Sequence, residues 1–203
     1  MRRLAFTSPA EVAAAVAPTH EVVAAGGVVL VPSESFYGLA ADPRSAPAVA
    51  RVRALKDRPS ELGLPVLCAD WQQLEALVVV PERWRVKLSR LWPAALTVVL
   101  EAREPIAAAS GGTLAVRIPA HRELRALLYR VGPLTGTSAN RHGRPPSTTV
   151  DEALRSLVGA PELALDAGAT AGGPASTLVD LSGAEARILR PGRCDWEEPY
   201  PEG

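Results

Sequence analysis

Short apolar runs bounded by glycine and proline alternate along this chain with longer segments whose apolar residues recur at helical spacing. Residues 28–31 form a β-branched run typical of a buried strand, and Pro32, which has no amide proton, ends its ladder. Residues 124–131 are the clearest amphipathic helix. Further strands are predicted over 64–68, 96–100, 114–118, 133–137, 163–166, 177–181 and 187–190. This alternation favours one α/β domain with a twisted mixed sheet.

Capping residues locate the helix starts. Ser8, with Pro9 after it and Glu11 three residues on, predicts a capping box. Pro18 is expected to interrupt this helix before it resumes towards Gly26. Further helices are predicted to begin at Ser45, Asp70 and Pro81, and to cover 151–158. The tryptophans of the helix after Pro81 are expected to face the core.

The last third of the chain contains a glycine-rich loop over 167–173, which we expect to be mobile. The tail over 193–203 is expected to fray or to lie on the surface. No repeat or linker divides the 203 residues, which predicts a single domain over 1–203.

Composition excludes several classes of protein. Lys and Arg total 22 and Asp and Glu total 22, and this balance argues against binding that depends on nonspecific attraction to nucleic acid or membrane. No apolar run approaches the ~20 residues that cross a bilayer. The two cysteines, Cys68 and Cys194, cannot form a disulfide scaffold, which fits a reducing compartment. We therefore expect a soluble cytoplasmic protein.

Several catalytic signatures are missing from the sequence. It has no Walker A motif, no glycine-rich dinucleotide motif and no nucleophile elbow, and its three histidines lack metal-ligand spacing. No resident metal site is predicted. An enzyme built from this chain is therefore expected to work by positioning and charge.

Two groups of polar residues indicate an anion site. Two serines and Glu34 follow the first strand, and Lys56 and Arg58 stand at the end of the next helix. Taken alone, those cations would more often be a solvated helix end, which suits the helix dipole. Arg117 lies inside a predicted strand, where a buried guanidinium needs an anionic partner. Residues 138–140, Ser176 and Arg190 would each be unremarkable alone, as a turn, a strand start and a surface cation.

Five motifs in order carry a resemblance to a known family. They are Pro32-Ser-Glu-Ser-Phe-Tyr-Gly-Leu39 with Lys56-x-Arg58-Pro59, Thr113-Leu-Ala-Val-Arg-Ile-Pro119, Thr137-Ser-Ala-Asn140, Ser176-Thr-Leu-Val-Asp180 and Ile188-Leu-Arg-Pro-Gly192. Together they resemble the YrdC/Sua5 family of threonylcarbamoyl-AMP synthases over residues 26–192. Ser33 and Ser35 stand where the family has threonines, Leu67 and Cys68 where many members have histidine, and 94–95 are alanines where Gly-Pro is frequent.

The resemblance implies a twisted mixed sheet with flanking helices and a central concave pocket, in a version without an extra C-terminal domain. It implies condensation of L-threonine, bicarbonate and ATP to threonylcarbamoyl-AMP and pyrophosphate, for a tRNA modification at adenosine 37. Magnesium is expected to enter with ATP. The implied partners are these substrates and a downstream tRNA threonylcarbamoyltransferase. A contact with tRNA is compatible with this function, and the chain is expected to be a monomer or a homodimer.

Residue roles follow from the resemblance, position by position. Threonine or its carbamate is implied to contact Ser33, Ser35, Arg117, Ser138 and Ser176. ATP is implied to contact Lys56, Arg58, Thr113, Asn140, Thr148 and Arg190. The implied catalytic residues are Lys56, Arg58, Ser138 and Asn140.

Two other functions remain open from the residues. A noncatalytic RNA-binding module could use the same basic concave surface, although zero net charge and few exposed-looking aromatics count against it. The related domain of hydrogenase-maturation carbamoyltransferases belongs to long chains with zinc-finger cysteines, and neither feature is present here.

Overall fold

The computed structural model describes residues 1–58 and 62–196. The helices are α1 (Pro9–Ala24), α2 (Ala46–Lys56), α3 (Trp71–Glu75), α4 (Glu82–Leu91), α5 (Arg122–Val131) and α6 (Val150–Ser156). The strands are β1 (Arg2–Ala5), β2 (Val29–Pro32), β3 (Tyr37–Ala40), β4 (Val66–Leu67), β5 (Val78–Val79), β6 (Leu96–Ala102), β7 (Thr113–Arg117), β8 (Leu134–Thr135), β9 (Thr137–Ser138), β10 (Leu163–Asp166), β11 (Thr177–Asp180) and β12 (Arg187–Arg190).

These strands form two mixed sheets. One has the order β1-β10-β2-β3-β9, with parallel pairing from β1 to β2 and antiparallel pairing beyond it. The other has the order β12-β11-β6-β7-β4-β8, with β5 paired to β6. The predicted mixed α/β class is confirmed, but the division into two sheets was not predicted from the sequence.

Two hydrophobic cores lie on opposite faces of the first sheet. Leu30 and Leu39 belong to one core, whereas their strand neighbours Val29 and Val31 belong to the other. This alternation follows from the two-residue period of a strand, and it explains why β2 reads as a continuous apolar run. Both faces of β2 are therefore buried, and the strand gives the first sheet a rigid centre.

The predicted helix starts are confirmed at Ser8 and Ser45. The Ser8 hydroxyl accepts from the amide of Glu11, whose side chain accepts from the backbone of Ser8. The predicted interruption at Pro18 is wrong, because α1 runs through it. A proline removes one hydrogen bond from the helix ladder. Here α1 packs on α5 and β10, and this tertiary packing holds the helix together across the gap.

A hairpin stands where the sequence predicted only a polar turn before a helix. Residues 37–40 pair antiparallel with β2, so the polar stretch from Ser33 to Phe36 is the tip of that hairpin. The predicted strand over 133–137 is also divided, because Gly136 separates β8 from β9. A Cβ at Gly136 would lie 2.3 Å from the Cγ atom of Leu67, so the two segments approach closely only with glycine there.

No helix in the described ranges is both long enough and apolar enough to cross a membrane. The predicted frayed tail falls partly on 197–203, outside the described residues. Trp196 is buried and packs near Trp84 with ring centroids 5.9 Å apart, so the segment before it is fixed to α4.

Candidate active site

A cavity of about 590 Å³ lies between the two sheets, a volume suited to a small-molecule substrate or a nucleotide. Both sheets and the hairpin tip supply its walls. The predicted site residues that line it are Ser33, Ser35, Arg58, Thr113, Arg117, Ser138, Asn140, Ser176 and Arg190. The side chains of Lys56 and Thr148 are not among those lining it. The fold thus gathers residues from distant segments into one place.

The hairpin tip is shaped by its own serines. The Ser33 hydroxyl donates to the carbonyl of Phe36 at 2.7 Å and lies 3.3 Å from the amide nitrogen of Phe36. This hydroxyl therefore builds the turn as well as facing the cavity. The Ser35 hydroxyl is buried, lines the cavity and has no hydrogen-bond partner within the described chain. Burial of a hydroxyl without a partner is costly, so a ligand group or a small movement of the tip that satisfied it would be stabilising.

Arg117 at the end of β7 forms an ion pair with Glu34 of the hairpin tip. Its Nε also donates to the carbonyl of Ala94 at 3.1 Å. Burial, with the nearby charges of Arg190 and Arg193, lowers the pKa of Arg117 to about 10, so it remains a cation at neutral pH. The anionic partner that a strand arginine needs is therefore Glu34, a residue to which the sequence assigned no role.

Lys56 lies beneath the turn that carries Ser138 and Asn140. Its ammonium group donates to the backbone carbonyl of Ser138 and, at 2.8 Å, to that of Asn140. Its own carbonyl accepts from the amide of His142 at 2.7 Å. Burial, with the positive charge of Arg58 nearby, lowers the pKa of Lys56 to about 8. The contact with ATP implied for Lys56 stays a prediction, and in this structure the residue fixes the turn.

The side chain of Asn140 completes that turn. Its Nδ2 donates to the carbonyl of Arg141 at 2.9 Å and also to that of Arg144. Its Oδ1 is buried without a partner in the described part of the chain, and the residue lines the cavity. The amide group thus holds the loop through its nitrogen, while its oxygen remains a buried acceptor without a partner among the described residues.

Arg58 and Arg190 bring two further cations to the cavity. Arg58 donates to the carbonyl of Gly63 at 3.0 Å, and its Nε has no partner among the described residues. Arg190 donates to the carbonyl of Ser176 at 2.9 Å and to its hydroxyl at 3.2 Å. Burial lowers the pKa of both guanidinium groups, with Arg53 adding to the effect at Arg58. Both therefore present charge that an anionic ligand would stabilise.

Thr113 and Thr148 occupy different surroundings. Thr113 lines the cavity, and its hydroxyl donates to the carbonyl of Ser110 at 2.9 Å. Thr148 instead donates from both its amide and its hydroxyl to Glu152 at the start of α6. Thr148 does not line the cavity, and the ATP contact implied for it stays a prediction.

Some cavity residues were missed by sequence reasoning. Thr97 lies 3.0 Å from the Ser176 hydroxyl, and Ser110 and Arg144 also line the walls. Thr97 alternates with the core residues Leu96 and Val98 along β6, and this period places it on the cavity face. The alternation was visible in the sequence, but the face that the cavity would occupy was not.

The donor set does not suit a resident metal ion. No cluster of three or more histidine, cysteine or acidic residues occurs in the described ranges. Glu34 is already paired with Arg117, and the rest of the lining offers guanidinium and hydroxyl groups. These groups attract anions, whereas magnesium needs oxygen ligands, particularly carboxylates. The cavity is therefore suited to ligands that carry several negative charges.

Comparisons with known proteins identify relatives of this chain. A sequence model of the Sua5/YciO/YrdC family, described as "Telomere recombination", matches residues 21–192. A protein of Halorhodospira halophila named threonylcarbamoyl-AMP synthase is 43% identical over 135 residues, covering 64% of this chain and 71% of that protein. A protein of the same name from Thiobacillus denitrificans is 36% identical over 176 residues, covering 84% of this chain and 92% of its own length.

A solved structure provides the corresponding comparison of folds. The crystal structure of Pyrococcus abyssi Sua5 complexed with L-threonine is similar with a TM-score of 0.85 at 30% sequence identity. The similarity covers 95% of this chain and 58% of the Sua5 chain, so this chain spans little more than half the length of that protein.

Proposed function

The chain belongs to the Sua5/YciO/YrdC family, and we propose that it is an L-threonylcarbamoyladenylate synthase. It condenses L-threonine, bicarbonate and ATP to threonylcarbamoyl-AMP and pyrophosphate, which makes it a nucleotidyltransferase. Its product supplies the modification of adenosine 37 in tRNA.

One observation carries this proposal. Arginines and hydroxyl-bearing residues from seven separate segments meet in one cavity. Two of the residues in its wall, Ser35 and Asn140, also carry a buried side-chain oxygen that has no hydrogen-bond partner in the described chain. Each substrate carries negative charge: threonine has a carboxylate, ATP has phosphate groups, and bicarbonate is itself an anion. Cations that converge on one place are therefore the main requirement of the reaction. The threonine bound to P. abyssi Sua5 supports the assignment of the amino acid.

The reaction needs two bond-forming steps. The amine of threonine attacks bicarbonate, a carbon–nitrogen bond forms, and water leaves to give a carbamate. A carbamate oxygen then attacks the α-phosphorus of ATP, and the bond to the β-phosphate oxygen breaks with release of pyrophosphate. Neither step needs a covalent enzyme intermediate, which agrees with the missing nucleophile motifs. Orientation and electrostatic stabilisation are the contributions required of the protein.

The cavity residues divide between the substrates. Arg117 binds the carboxylate of threonine through its guanidinium edge, a bidentate arrangement that lysine cannot reproduce. Ser35, Ser138 and Ser176 hydrogen-bond threonine or its carbamate. Ser33 contributes from the same turn.

The phosphate groups of ATP lie along the remaining cations, Arg58 and Arg190, with Thr113 and the turn at Asn140 beside them. Lys56 acts on ATP through that turn, whose two carbonyls it holds. Magnesium enters as part of the ATP substrate, bound by its phosphates, and no residue of this cavity is assigned to it.

We place the protein in the cytoplasm, where ATP and tRNA are found, and the labile adenylate is consumed by a tRNA threonylcarbamoyltransferase. This function needs no stable complex with tRNA, because the carbamoyl transfer occurs on the partner enzyme.

Pyrophosphate release tests the proposal. The purified chain is assayed with Mg-ATP, L-threonine and bicarbonate together, and with each omitted in turn. We expect release only in the complete mixture. Release that does not need threonine, or that needs carbamoyl phosphate instead, would contradict the proposal and favour the hydrogenase-maturation chemistry. Binding of RNA with no binding of ATP or threonine by calorimetry would favour the noncatalytic module.

A further inference from the structure

The glycine-rich loop over 167–173, whose mobility stays a prediction, is hydrogen-bonded in the structure to the hairpin tip that lines the cavity. We infer that Thr170 in this loop is a positioning residue that sets the place of the Ser35 hydroxyl and thereby the affinity for the amino-acid substrate. The inference rests on the proposed function, because it concerns the threonine side of that cavity.

The contact between loop and hairpin tip is made through one carbonyl group. The Thr170 hydroxyl lies 2.8 Å from the carbonyl oxygen of Ser35, and the amide of Gly172 donates to the same oxygen at 2.9 Å. Two donors therefore hold the backbone of Ser35 from behind. Ser35 is also one of the residues that line the cavity, and its buried hydroxyl has no partner within the described chain.

The loop is itself anchored, so it can serve as a support. The Tyr37 hydroxyl donates to the carbonyl of Gly168 at 2.7 Å and accepts from the amide of Ala167 at 3.0 Å. Arg193 donates to the carbonyl of Gly172 at the far end of the loop. Gly168 and Gly172 have φ angles of 75° and 62°, a backbone conformation that is strained for residues with a Cβ atom, so glycine suits both positions of the loop.

Thr170 acts through Ser35 and not on a ligand. Its side chain is not among those that line the cavity. Its amide donates to the carbonyl of Thr148 at 2.9 Å, and its hydroxyl is also within 3.2 Å of that oxygen. Without the hydroxyl, the Ser35 carbonyl keeps the Gly172 amide and the Thr148 carbonyl keeps the Thr170 amide. The fold therefore tolerates the loss, while the tip gains freedom of position.

The matched variants are Thr170→Val, which keeps the shape and removes the hydroxyl, and Thr170→Ser, which keeps the hydroxyl and removes a methyl group. In pyrophosphate-release assays we expect T170V to raise the KM for L-threonine roughly three- to tenfold, the effect of one lost hydrogen bond, with the KM for ATP unchanged. T170S should stay within about twofold of the wild type, since it retains the same bond.

A second substitution tests whether Thr170 changes the KM for threonine through Ser35. In a Ser35→Ala background the hydroxyl that Thr170 positions is gone, so adding T170V should raise the KM for threonine no further. Full additivity of the two substitutions would overturn the inference, as would a T170S variant that behaves like T170V.

Amide hydrogen exchange of residues 33–37 in the ligand-free protein separates this inference from the proposed function. We expect faster exchange at the tip in T170V than in T170S, and equal rates would contradict the positioning role. If the wild type makes no adenylate, the proposed function fails while the exchange comparison still decides whether Thr170 holds the tip.

Discussion

Replacing Arg117 tests the anion site where the structure gives the firmest expectation. The guanidinium has one hydrogen bond to the Ala94 carbonyl and an ion pair with Glu34, and the residue is only 8% exposed. Arg117→Lys keeps the positive charge near Glu34 but removes the planar fork that matches a carboxylate. The variant therefore changes recognition of the amino acid more than it changes the charge of the cavity.

The magnitude follows from the bonds lost. A hydrogen bond to a charged group contributes about 1.5–3 kcal/mol. Losing one of the two bonds of a bidentate contact should then raise the KM for L-threonine roughly 10- to 100-fold, since 1.4 kcal/mol is a factor of ten. The KM for ATP should change little. Steady-state pyrophosphate release, with each substrate varied in turn, measures both constants. An R117K enzyme with an unchanged KM for threonine would refute the assignment of Arg117 to the carboxylate.

The Arg117→Ala variant tests how much the ion pair with Glu34 contributes to stability. Arg117→Ala leaves Glu34 charged and largely buried without its partner, and breaking a buried pair in this way costs about 3–5 kcal/mol of stability. Glu34→Gln is the matched companion, because it removes the charge and keeps the shape. We expect the E34Q/R117A double variant to recover part of the loss of R117A in urea unfolding. A double variant less stable than R117A would show that the two side chains do not form a coupled pair.

Three further expectations concern other parts of the site. Arg58→Ala should lower the rate of pyrophosphate release at limiting ATP, whereas Arg51→Ala on the exposed face of α2, which precedes Arg58, should not. Equal loss in both variants would contradict the site. Burial gives Lys56 a pKa of about 8 against an ordinary value of 10.5. Between pH 8 and 10.5 the folded protein therefore binds fewer protons at this residue than the unfolded chain does, so the free energy of unfolding should rise with pH relative to Lys56→Met. A constant difference in unfolding free energy between the two proteins would contradict the shifted pKa. Gly136→Ala places a methyl group 2.3 Å from Leu67 Cγ and should destabilise the protein by about 1–3 kcal/mol in urea unfolding. Adding Leu67→Ala to the same chain should partly relieve this loss. If the destabilising effects of the two substitutions were fully additive, the steric explanation would be refuted.

Local chemistry explains which elements the sequence predicted well. The capping box at Ser8 and the N-cap at Ser45 need only residues within one turn of each other, and both helices begin there. The runs at 163–166 and 187–190 have the same bounds in the structure as in the prediction. By contrast, β3 has only four residues and includes a glycine, so its composition does not mark it as a strand, and only pairing with β2 makes it one.

The candidate site shows the same division. Residue types and their order indicated which side chains belong to the site, but contacts between distant segments decide what each one does. Glu34 reads as one polar residue in a turn, and only the fold brings it to Arg117. Lys56 reads as a cation at a helix end, and only the fold places the carbonyls of Ser138 and Asn140 around it. Sequence spacing contains no information about such partners.

Mass spectrometry of the reaction product tests the central claim most directly, namely that one cavity joins threonine, bicarbonate and ATP. The chain is incubated with Mg-ATP, L-threonine and carbon-13-labelled bicarbonate, and the nucleotide products are separated. We expect threonylcarbamoyl-AMP that carries the label in its carbamoyl carbon, formed together with pyrophosphate and formed more slowly when Arg117 or Arg58 is replaced by alanine. An adenylate without the label, or no adenylate from protein shown to be folded and to bind ATP, would contradict the account.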